Sequence, residues 1–76
     1  MSAHKTGIVA FDNAANSAES LRQAGVATAS GTGAVLQANI MNVELTYYRT
    51  LRSLAITNGL SPANFNQAIR SLGWQT

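Results

Sequence analysis

From Ala34 to Asn58 the chain runs without a glycine or a proline. Strands are rarely longer than about ten residues, and nothing here interrupts a helical hydrogen-bond ladder, so the stretch predicts one long helix. Leu36, Ile40, Val43, Tyr47, Leu51 and Leu54 recur at spacings of three and four and draw one continuous apolar stripe. Ala34, Ala38, Met41, Leu45, Tyr48, Ala55 and Ile56 cover the adjacent face, leaving Asn39, Asn42, Thr46, Arg49, Ser53 and Thr57 as the polar remainder. An apolar arc this wide needs cover on two sides. The whole chain has only 76 residues with which to provide it.

The cover on the C-terminal side is well punctuated. In "NGLSPANFNQAIRSLGW", Gly59 suits the left-handed close of the long helix, Ser61 is a candidate N-cap and Pro62 suits a first helical position. Leu60 can staple to Phe65. Phe65, Ala68, Ile69 and Leu72 form an inward face, and Leu72-Gly73-Trp74 reads as a Schellman stop with Trp74 folded over Ile69.

The N-terminal side is weaker. Residues 13–28 predict a first helix, with Asp12, Asn13 or Asn16 as its cap and Asn16 with Glu19 resembling a capping box. Ala14, Ala18, Leu21 and Gly25 share a face of mostly small side chains, which permits close approach but supplies little apolar area. "ASGTG", residues 29–33, is the linker; it lacks the spacing and the Lys-Ser/Thr of a phosphate-binding loop. Residues 1–12 read as an extended N-terminal arm whose short apolar run, Ile8 to Phe11, tucks onto the core; the alternative is a strand, which would need a second strand from a neighbouring subunit to pair with. The expectation is an all-α fold: arm, then one small domain over 13–76 with a weak first helix, a long central helix and a short last helix in a hairpin.

Composition narrows the function classes. Charged residues make up 11%, about half the usual share, and the net charge is +2. Lys5, Arg22, Arg49, Arg52 and Arg70 are scattered in the sequence, whereas strong phosphate binding needs clustered cations. Cysteine is absent and His4 is the single histidine, so disulfides, thiolate metal sites and nucleophile–base pairs have no material. The expectation is a non-enzyme with no cofactor, no metal and no small-molecule substrate. No basic segment precedes a long apolar run at the start, so the chain reads as having no signal peptide and no membrane span, and as soluble, cytoplasmic or held in a particle.

Two functional readings follow. In the first, the second face of the long helix is buried by other copies, with Met41, Glu44, Leu45, Tyr48 and Arg52 as interface residues. Glu44 is then either a buried contact to a partner or a rim glutamate whose stem alone packs. This reading expects a small self-associating structural or assembly protein, a homo-oligomer or larger assembly whose size, low charge and Ala/Gly/Ser/Thr/Asn-rich style suit a virion or prophage-type component. In the second, Ala55, Gly59 and Phe65, with Leu54, Leu60 and Ala68, resemble the spacing of a helix-turn-helix over residues 55–72, and Asn64, Asn66, Gln67 and Arg70 could read base edges. Asn58 at a usually apolar position, a preceding helix about twice the length that motif uses, and Arg70 as the single cation on the last helix all weigh against it. "YYRTLR" could stack nucleotides, but a tyrosine pair on a helix serves core and interface more often.

Overall fold

The computed structural model describes residues 6–74. They form three helices and no strand: α1, Val9–Ala27; α2, Gly33–Thr57; and α3, Ala63–Ser71. The fold is all-α, and the bounds of α2 and α3 lie within one residue of those the sequence predicts.

Both predicted glycine stops are present in their backbone bonds, while the Trp74 ring, expected over Ile69, is 45% exposed and lies by Arg49. At the end of α2, Gly59 has φ +73°, its N–H donates to the Ile56 carbonyl at 3.2 Å, and Leu60 N–H donates to the Ala55 carbonyl at 2.8 Å. At the end of α3, Gly73 has φ +87°, with bonds from Gly73 N–H to Arg70 and from Trp74 N–H to Ile69, at 2.9 and 3.3 Å. These are the paired bonds of a Schellman close, which satisfy carbonyls a helix end otherwise leaves open. Ser61 Oγ accepts from Ala63 N–H at 3.3 Å, while Pro62 occupies the N-cap position of α3 rather than its first turn.

The start of α1 departs from expectation. Residues 9–12, assigned to the arm, are the first turn of the helix. Ile8 is the cap residue and provides no side-chain bond. Asp12 instead reaches backwards, accepting from Thr6 N–H and Thr6 Oγ1, each at 2.9 Å, and from Gly7 N–H at 3.3 Å. That anchors the preceding turn and sets a negative charge in the positive first turn of the helix. Asn16 and Glu19 lie inside α1 and form no capping box. The arm's residues 1–5 lie outside the described residues.

α1 and α2 run antiparallel. Phe11, Ala15 and Ala18 pack with Tyr47, Leu51 and Ala55 in one buried cluster, and Ile8, Tyr48, Leu54, Leu60 and Phe65 close its edges. Phe11 and Phe65 rings meet at 6.4 Å, so the first and third helices touch over the core. Further along, Gly25 faces Val43 so closely that a Cβ on Gly25 would sit 2.8 Å from Val43 Cγ1. α3 turns back along α2 and buries Ile69 completely. Its nine residues span about 14 Å at 1.5 Å per residue, roughly a third of the length of α2. The other end of the molecule is therefore two helices thick.

Candidate functional site

The face predicted for partners is largely occupied within the chain. Leu45 is 5% exposed, Tyr48 is half-buried against the core, and Glu44 and Arg52 are half-buried. The closing turn of α3 extends the chain past Ser71 and lays Trp74 against Arg49 of α2, with the guanidinium 5.6 Å from the ring centroid. Met41 stays exposed just beyond that reach. The Met41–Leu45–Tyr48 patch is thus not a free apolar face.

An open groove lies on the opposite flank, between α1 and α2. Its volume is about 350 Å³, and Ala18, Leu21 and Gly25 on α1 line it with Val43 and Tyr47 on α2. The small residues expected to permit close helix approach do so here, and where they leave room the groove opens. Leu21 is 73% exposed and stands at the rim. Asn42, Thr46 and Thr50 form the polar edge.

One charged cluster borders the groove. Arg22 is ion-paired with Glu19 one turn before it, and its guanidinium lies over the Tyr47 ring, 5.4 Å from the centroid. Gln23 also donates to Glu19, at 3.3 Å. The hydrogen bond from Arg22, then that from the Tyr47 hydroxyl, lowers the Glu19 pKa to about 2. Burial first, and the bond to Glu19 second, push the Tyr47 phenol well above its usual range. The three groups hold one another in fixed charge states across the neutral range, so the cluster neutralises itself and offers no group poised to exchange a proton. Glu19 reads in the sequence as the partner of Asn16 in a capping box, and its pair with Arg22 was missed there, although their i, i+3 spacing carries that signal; the reach of Tyr47 across the helix interface had no one-dimensional signal.

The residues proposed to read DNA divide. Asn64, Gln67 and Arg70 are on the exposed side of α3. Asn66 is half-buried, with its Oδ1 enclosed and without a hydrogen-bond partner, so its amide is not on the outward stripe. Ala55, Leu60 and Phe65 build the tight corner that their spacing implied. Among the described residues no three His, Asp or Glu side chains come together in a way that could hold a metal ion, and no helix is long and apolar enough to cross a membrane. Comparison with family models, with curated proteins and with solved structures finds no match to this chain.

Proposed function

We propose that the chain is a small self-associating structural or assembly subunit, and that its copies meet through the α1–α2 groove rather than through the face of Leu45. The observation that carries this is the exposed Leu21 side chain at the rim of an apolar groove on the same face. A two-fold contact needs a surface that is its own complement, with a projection and a recess side by side. Leu21 is the projection; the floor of Ala18, Gly25, Val43 and the Tyr47 ring is the recess. The electrostatics are permissive, because Arg22 is paired with Glu19 and the other edge residues are neutral. Two like-charged copies can approach here without setting cation against cation.

Magnitudes fix the form of the association. Burying a leucine side chain contributes about 1.5–3 kcal/mol, so two reciprocal insertions contribute about 3–6. Loss of translational and rotational freedom costs about 4–15 kcal/mol. Leu21 alone does not hold a stable pair, and the contact must spread along both helices to reach the roughly 1,000 Å² of a specific interface. The mass of the particle should then rise with concentration. Sedimentation equilibrium of the wild-type chain over a thousand-fold concentration range tests this; a monomer mass throughout would end the proposal.

A further inference from the structure

Of the seven asparagines in the chain, Asn58 alone precedes a glycine. Asparagine is a thermolabile residue, and this neighbour makes it most so. The Gly59 nitrogen can attack the side-chain carbonyl carbon of Asn58, close a five-membered succinimide and expel ammonia, and glycine has no side chain to obstruct the approach. Solvent water then opens the ring at either carbonyl and leaves aspartate or isoaspartate. The net change consumes a water and releases an ammonia; nothing is oxidised or reduced. The other asparagines precede Ala14, Ser17, Ile40, Val43, Phe65 and Gln67, whose side chains hinder the same attack.

The fold holds the pair out of reaction. Asn58 is the C-cap of α2, with ψ 11°. At that angle the Gly59 nitrogen nearly eclipses the Asn58 nitrogen, whereas ring closure needs it to eclipse Cβ, about a third of a turn away around the tetrahedral Cα. Hydrogen bonds oppose that rotation on both partners. Asn58 Nδ2 donates to the Leu54 carbonyl at 2.8 Å. Gly59 N–H donates to the Ile56 carbonyl at 3.2 Å, and Leu60 N–H, immediately after, donates to the Ala55 carbonyl at 2.8 Å. Leu60 and Phe65 pack against the edge of the core, so turning the Asn58–Gly59 peptide means lifting the corner that joins α2 to α3. Such local openings cost less than global unfolding.

We propose that Asn58–Gly59 is a self-modification site gated by this corner: opening lets the pair deamidate, and the product weakens the corner that had protected it. The product has lost the donor to Leu54. It sets a carboxylate beside that carbonyl instead, at the negative end of the α2 dipole. The isoaspartate form also adds a carbon to the main chain at residue 58, which shifts Gly59 and Leu60 off their acceptors.

The full chain, incubated at mildly alkaline pH in buffer and in denaturing urea, tests this. Intact mass follows the exchange of NH2 for OH, and peptide maps place it and separate aspartate from isoaspartate. Conversion should be at least ~100-fold slower in buffer than in urea, a ratio set by the opening equilibrium, and should occur at Asn58 before any other asparagine. Leu60→Ala loosens the corner without touching the reacting atoms. It should raise the rate in buffer about 10-fold and leave the rate in urea unchanged. If this variant does not fold, sub-denaturing urea on the wild-type chain serves: the rate should rise before helicity falls. Asn58→Asp, which makes the product by substitution, should unfold at lower urea than wild type. Equal rates in buffer and in urea, earlier conversion at another asparagine, a rate in buffer that neither Leu60→Ala nor sub-denaturing urea raises, or an Asn58→Asp midpoint no lower than wild type would each overturn the proposal.

Discussion

A carboxylate that accepts hydrogen bonds from a guanidinium and from a buried phenol is harder to protonate than one in water, and Glu19 is in that position. Its pKa falls from 4.5 to about 2, so the folded state holds the charged form more tightly than the unfolded chain does. The sign follows: the stabilisation is complete above pH 4.5, declines as the pH falls and is gone below about 2. The Glu19 side chain keeps 22% exposure, and allowing for solvent screening the contribution is about 1 kcal/mol. Glu19→Gln should therefore be less stable than wild type by about that amount at pH 7 and equal to it near pH 2. Urea midpoints of both proteins across this range make the comparison, and subtraction removes the other carboxylates. A gap that stays constant down to pH 2 would mean the cluster contributes packing and no charge. Phe11 makes a different point at the same scale. Its neighbours Ile8 and Val9 are β-branched and read as extended chain, yet Phe11 is 2% exposed in the core, and its burial outweighs the weak local preference.

At the scale of the helices, the closest approach sets the geometry. Alanine at Gly25 would gain about 1 kcal/mol of helix propensity. Its Cβ would also press to 2.8 Å from Val43 Cγ1, and a β-branched side chain on a helix has little freedom to turn aside. Overpacking costs about 1–3 kcal/mol, so Gly25→Ala should be a net loss of about 1. In a Val43→Ala background the clash is gone and the same substitution should stabilise by about 1 kcal/mol. Denaturation midpoints of the four proteins in this cycle decide it; equal losses in both backgrounds would show that α1 and α2 do not meet at this point. What was legible in the sequence tracks how local each cause is. The ends of α2 and α3 follow from Gly59 and Gly73, whose bonds reach no further than five residues back. The start of α1 did not follow, because Asp12 acts backwards on Thr6 and Gly7 and because Asn16 and Glu19 imitate a cap from inside the helix. The groove and the Trp74 contact depend on which helices approach at which turn. Neither Gly25 opposite Val43 nor Trp74 beside Arg49 has a signature in the spacing of either residue.

For the molecule as a whole, the deciding quantity is which part of α2 its own chain can cover. The sequence shows an apolar arc too broad for two short helices. It does not show that α3 closes with a tryptophan turn reaching back to Arg49, or that Leu45 is buried within the chain. The uncovered surface therefore lies across α2, where α1 leaves Leu21 at an open groove. A pair of substitutions separates the two faces. Leu45→Lys places an ammonium in a site that is 5% exposed, with the cost of an unpaired buried charge added to the roughly 2–5 kcal/mol that loss of a core leucine carries. Against a total stability of about 5–15 kcal/mol, usually near the lower end for a chain this small, that should unfold the subunit outright. Leu21→Lys places the same charge on the exposed rim, where the monomer has nothing to lose. Its helicity and urea midpoint in dilute solution should match wild type, while its mass at high concentration should fall to that of the monomer, because a lysine entering the partner's groove would be stripped of water without a counter-charge. Circular dichroism and sedimentation on both variants read the two effects separately. A folded Leu45→Lys would place the interface back on the α3 side, and a Leu21→Lys chain that still associates would move it off the groove.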